Sequence, residues 1–105
     1  MEVVFDNNRV RKRCGDARGK LKQRLDDMLA ADSMAVLETL PGHYHALTAD
    51  RAGQWACSLE EPYRLVFLPV GNPLPVSKDG RLDTTRVTAV RIVEVVNYHE
   101  RKNKK

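Results

Sequence analysis

No apolar run in the chain approaches the roughly 18 residues that a membrane-spanning helix requires, and the opening Met-Glu-Val-Val-Phe-Asp has no basic segment leading into an apolar one. Neither a membrane span nor a secretory leader is expected, and the expected compartment is the cytoplasm. Cysteine is scarce. Cys14 and Cys57 form no Cys-x-x-Cys pair, so zinc-ribbon and thioredoxin-type chemistry are not signalled and both are expected to be reduced thiols. No internal repeat or low-complexity segment is visible. Hydrophobic residues at 42% and charged residues at 30% exclude a disordered or collagenous class. A chain of 105 residues suits one domain spanning residues 1–105, with a basic tail at about 100–105. Such a domain buries about two thirds of the surface its unfolded form exposes, enough for a core.

Basic charge is present and unevenly placed. Eight of the 18 basic residues (Arg9, Arg11, Lys12, Arg13, Arg18, Lys20, Lys22 and Arg24) share one stretch with a single acid, Asp16. Four more, Arg101, Lys102, Lys104 and Lys105, crowd the end of the sequence, and the net charge is +4. A polyanion is a natural partner for such clusters, although solvated helix faces and frayed ends have the same composition.

The periodicity changes once along the chain. Val3-Val4-Phe5 suits a short strand, with Asp6 or Asn7 capping a brief basic helix that fails near Cys14-Gly15. From Asp16, Ala17, Leu21, Leu25, Met28 and Leu29 fall on one helical face and Lys20, Gln23, Asp26 and Asp27 on the other, with Arg18 on the apolar side. Asp32 or Ser33 can cap a short helix through Leu40, stopped by Pro41-Gly42. Residues 43–48, 54–59, 63–68 and 87–98 then read as strands. Gly71 to Thr85, with Pro73, Pro75 and Gly80, reads as a long surface loop and the segment expected to move most. In the last strand Val87, Ala89, Val93 and Val95 alternate against Val90, Ile92 and Val96, so both faces are apolar and the strand is expected to be central. Helices followed by strands predict an α+β fold with N-terminal helices packed on a twisted, mostly antiparallel sheet of four to five strands.

Chemistry-bearing residues are few. His43 and His45 share a face if their strand is regular, and with His99 they could hold zinc. No acidic or cysteine ligand stands at a suitable spacing, so neither a metal nor a cofactor is expected. The same residue types suit cleavage of RNA without metal. One group deprotonates the 2′-hydroxyl, another protonates the leaving 5′-oxygen, and a cation stabilises charge on the phosphoryl oxygens. His45, Tyr98, His99 and Arg64 have the required chemistry. Arg64 lies in an otherwise apolar strand, where its charge must be paired, for example with Glu94, or face a cleft. His45 alone also fits a satisfied, partly buried histidine.

Two stretches, "LPGHYHALTADRAGQWACSLEEPYRLVF" and "VTAVRIVEVVNYH", resemble the killer-protein branch of the RelE/ParE toxin superfamily, the HigB-like toxins. The features that carry the resemblance are Pro41-Gly42, His45-Ala46-Leu47, the turn Asp50-Arg51-Ala52-Gly53, the strand Tyr63-Arg64-Leu65-Val66-Phe67, and Asn97-Tyr98-His99. The resemblance implies a RelE-like fold and a type II toxin that cleaves mRNA on the ribosome. It also implies neutralisation by a HigA-type helix-turn-helix antitoxin. Catalytic positions map onto His45, Arg64, Tyr98 and His99, and RNA-contacting positions onto Thr48, Arg51, Asn97 and Lys102. Three departures stand out: Asn97 replaces a common aspartate, Thr48 and Ala52 stand where relatives often carry lysine, and Ala49 replaces the glycine of the turn, which matters if that backbone needs a positive φ. Two other functions are compatible with the same chain. One is a non-enzymatic toxin of the ParE branch that binds DNA gyrase, or a decayed toxin acting as a binding partner. The other is a basic RNA-binding module with incidental histidines. ParE-like chains generally lack the strand histidine and the terminal Tyr-His, and this chain has both.

Overall fold

Asn7 has an extended backbone, and its Oδ1 accepts a hydrogen bond from the Val10 amide at 3.0 Å, starting helix α1 over Asn8–Gly15. Lys12 and Arg13 lie in the last turn of α1, where positive charge complements the helix dipole. The computed structural model describes residues 1–97. Strand β1, Glu2–Phe5, precedes α1, and helices α2, Gly19–Ala30, and α3, Met34–Leu37, follow it. The remaining strands are β2, His45–Ala46; β3, Trp55–Ser58; β4, Tyr63–Pro69; and β5, Ala89–Asn97. Short 3-10 turns occupy Ala49–Arg51 and Thr84–Arg86.

The strands form one open sheet in the order β1-β5-β4-β3-β2, with β1 parallel to β5 and the other pairings antiparallel. Three helices on a five-stranded mixed sheet give the expected α+β fold, and β5 is an interior strand. One face of the sheet packs against the helices. Met28, Leu37, Met34, Leu65, Phe67, Val90 and Ile92 are almost or wholly inaccessible there, and burying side chains of this size contributes about 1.5–3 kcal/mol each.

Several local expectations are corrected. Helix α2 begins at Gly19 rather than near Asp16, and Arg18 is its N-cap residue, with no side-chain cap of its own. The missing acceptor comes from the β3–β4 turn: Glu60 Oε2 accepts from the Lys20 amide at 2.9 Å, and this bond holds the Glu60 carboxyl below the ordinary range. Leu29, assigned to the apolar face, is 59% exposed, whereas Arg24 is only 5% exposed. Leu21, Arg24, Leu25 and Met28 are the buried positions of α2, so the core stripe is rotated to include a guanidinium.

The alternation in β5 is reversed by a bulge. Register shifts between Val66 and Phe67 of β4, so Ile92 pairs with Phe67 but Glu94 with Val66 and Val95 with Leu65. An extra residue between paired positions turns later side chains to the opposite face. Val95 therefore joins Val90 and Ile92 toward the core, and Glu94 and Val96 face away. The segment from 71 to 85 carries structure of its own, including an isolated bridge between Val76 and Leu82 and a Ser77 amide donating to the Arg81 carbonyl at 2.8 Å. Its end is tied to α3, where Thr84 Oγ1 donates to Glu38 Oε1 at 2.8 Å. That anchorage ties the end of the segment to the helical side of the sheet.

Candidate functional site

Residues opposite one another on neighbouring strands share a face. The register therefore aligns His45, Ala56, Val66 and Glu94 in one row across β2 to β5, with Ser58, Arg64 and Val96 in the next. Both rows lie on the face without helices. His45, Leu47, Thr48, Arg51, Arg64 and Val96 surround an open cleft there, with a volume of about 170 Å³. Four of the expected site residues, His45, Thr48, Arg51 and Arg64, thus converge although they are spread over 20 positions of sequence. Asn97 pairs with Tyr63, one position past the Arg64–Val96 pair, so its backbone lies next to the cleft while its side chain alternates to the other face of the sheet. Tyr98, His99 and Lys102 lie outside the described residues.

The orientation of His45 is built by the turn before it. Gly42 has φ 136°, and a Cβ there would stand 2.8 Å from Tyr44 Cε1 and 2.9 Å from Arg24 Nε. Only glycine fits. The buried Arg24 donates from Nε to the Ser58 carbonyl at 2.8 Å, and the Ser58 amide donates to the Gly42 carbonyl at 2.7 Å, so a polar ladder ties α2 to the turn. Tyr44 packs edge-on against Phe67, with ring centroids 6.1 Å apart. Beneath it, burial pushes the Cys57 thiol up to about 12 despite the opposing Arg24 charge, so this cysteine is protonated and unreactive at neutral pH.

The strand expected over residues 43–48 is reduced to His45–Ala46, and His43 stands outside it with φ 53°, so the two histidines do not share the face of a regular strand. Histidine tolerates that conformation better than most residues. Its carbonyl oxygen lies 2.8 Å from Nδ1 of His45. A carbonyl can only accept, so Nδ1 of His45 carries the proton and donates it, which leaves Nε2 as the basic nitrogen. The two imidazoles nevertheless remain neighbours, 5.1 Å between centroids. Among the described residues no three His, Cys, Asp or Glu side chains are grouped to hold a metal ion.

The ion pairing differs from the sequence expectation. Glu94 pairs with Arg51, not with Arg64. Arg51 Nη1 also donates to Gln54 Oε1 at 2.7 Å, so its guanidinium is gripped from the turn and from β5. Arg64 donates to the Tyr63 carbonyl at 2.9 Å and to Glu61 Oε2 at 3.4 Å. Gln54 and Glu94 were not among the expected site residues. The available signal for Glu94 was an acid between valines in an apolar strand.

The turn that carries Arg51 is strained. Ala49 has φ 57°, the left-handed conformation that its missing glycine would adopt without penalty. For an L-residue this costs about 1–2 kcal/mol. Ala49→Gly is therefore expected to stabilise the protein by about 0.5–1 kcal/mol after the extra chain entropy of glycine is subtracted. Thermal unfolding measures this directly; an unchanged or lower midpoint would show that the turn is not strained.

No helix among the described residues is long and apolar enough to cross a membrane. No protein-family model matches the chain. No curated protein matches it either. Among solved structures it is similar to the YoeB/ParE toxin from Agrobacterium tumefaciens, with 14% identity, coverage of 90% of this chain and 96% of that one, and a TM-score of 0.54. At this identity the likeness is one of fold. With helices on one face of a five-stranded mixed sheet, this chain shares the α+β fold of that toxin structure.

Proposed function

We propose that this chain is the toxin of a type II toxin-antitoxin system, of the HigB-like branch, and that its cleft cleaves mRNA on the ribosome by metal-independent acid–base chemistry. The observation that carries the proposal is the meeting, in one cleft, of an imidazole with a defined basic nitrogen and two guanidinium-bearing residues, Arg51 and Arg64.

In this mechanism His45 and His99 share the acid and base roles. Nε2 of His45 takes or gives the proton of the reacting oxygen, while the Nδ1 hydrogen bond to the His43 carbonyl keeps the ring aimed. Arg64 stabilises charge on the phosphoryl oxygens. Tyr98 stacks on a base or assists proton transfer. Thr48, Arg51, Asn97 and Lys102 contact the RNA. The single domain would act in the cytoplasm, need no cofactor, and be neutralised by a HigA-type helix-turn-helix antitoxin.

Incubating the purified protein with translating ribosomes and mapping mRNA ends tests the proposal, with DNA gyrase supercoiling as the parallel arm. Cleavage within codons and unaffected supercoiling are expected. Supercoiling inhibition without cleavage would replace this function by the ParE-like one. Salt-sensitive RNA binding without scission would leave a binding module.

A further inference from the structure

We infer that Glu94 is a positioning residue, which aims the Arg51 guanidinium into the cleft without touching the RNA itself. This rests on the proposed function of the cleft. Arg51 presents five N–H donors in a rigid planar fork. Gln54 and Glu94 each take one, and the others stay available to a phosphate. The two grips come from different parts of the fold. Gln54 belongs to the same turn as Arg51, whereas Glu94 lies on β5, beyond β3 and β4 in the sheet. The pair bridges that gap above Ala56 and Val66, two residues of the open face that are buried nonetheless.

Glu94 does not line the cleft. It lines a groove on its other side, with Asp6, Asn7, Arg9, Val10 and Arg13. Its carboxylate therefore stands behind the guanidinium, where it orders Arg51 without meeting the substrate. The Arg51 side chain is 18% exposed and the Glu94 side chain 40%, so the arginine is the better shielded partner and rotation of its fork is restricted. A strand position supplies this support more precisely than the turn could, because groups on regular elements are held more exactly than groups on loops. Thr48 and Ala52 leave Arg51 as the cation of this turn, so its aim carries more weight than in a chain with lysines at those positions.

Single-turnover cleavage of mRNA on programmed ribosomes, combined with hydrogen exchange of the Arg51 side chain in the protein alone, tests this. Glu94→Ala is expected to weaken half-saturation about tenfold, the loss of one charge-assisted hydrogen bond, with the saturated rate within about twofold of wild type. Glu94→Gln keeps an acceptor and is expected to recover most of the loss. Arg51→Ala is expected to match Glu94→Ala, and the double variant to be no worse than Arg51→Ala. In the free protein, ¹⁵N NMR is expected to show slow exchange of the Arg51 Nη2 hydrogens, one of which Glu94 accepts, in wild type and Glu94→Gln, and faster exchange in Glu94→Ala. Additive effects, tighter binding by Glu94→Ala, or unchanged exchange in that variant would each overturn the inference. A wild type that cleaves no mRNA, together with the expected change in exchange, would refute the nuclease function and leave the positioning of Arg51 standing.

Discussion

His45→Ala is expected to lower the rate of mRNA cleavage at saturation by about 10²–10⁴-fold, the usual contribution of a positioned acid or base. The physical ground is specific to this ring. Its Nδ1 proton is committed to the His43 carbonyl at 2.8 Å, so Nε2 is the nitrogen that exchanges protons with substrate. His45→Gln retains hydrogen-bonding capacity but cannot cycle a proton, and is expected to be nearly as inactive. Because His45 is only half-buried, neither variant is expected to lose its folded circular-dichroism spectrum. His99→Ala, at a position beyond the described residues, is expected to abolish growth inhibition while the protein still folds. A folded His45→Ala protein that cleaves at the wild-type rate would remove His45 from the mechanism and reduce it to a structural histidine.

The second large effect is on stability. Gly42→Ala is expected to destabilise the fold by about 2–4 kcal/mol, combining backbone strain at φ 136° with overpacking. The added methyl would meet Tyr44 and Arg24 below 3.0 Å, and neither can retreat easily. Tyr44 is packed on Phe67, and Arg24 is held by the Ser58 carbonyl. In a domain of this size each kcal/mol lowers the melting midpoint by about 4–8 °C. Gly53→Ala supplies the control. Gly53 also has positive φ, 93°, but a methyl there meets nothing within 4 Å, so only the strain component should appear. Equal losses in the two variants would show that close packing beneath the turn is unimportant. Residual folded Gly42→Ala protein is also expected to cleave poorly, since this turn aims His45.

Much of this architecture was legible because helical and strand periods are local properties. The Asn7 cap, the Leu21, Leu25 and Met28 stripe, and the two long strands all announce themselves within a few residues of sequence. Other features escaped. Arg24 stands three positions after Leu21 and four before Met28, on the buried side of α2, yet among seven other basic residues its charge suggested solvent. Its partner is a backbone carbonyl on β3, which no residue type advertises. The facing of Val95 and Val96 was misassigned for a related reason: a bulge depends on the pairing of β4 with β5, and strict alternation cannot reveal it.

By itself the sequence determined the kinds of chemistry available and the order of the elements, because both are set by residue identity and short-range pattern. Which groups meet was decided only in the folded chain. Sheet register brought His45, Arg51 and Arg64 around one cleft, the bulge sent Glu94 to Arg51 and left Arg64 with Glu61, and a left-handed His43 backbone chose the tautomer of His45. Each of these depends on contacts between residues made neighbours by the sheet or by an unusual dihedral, and such proximity has no local signature in the order of amino acids.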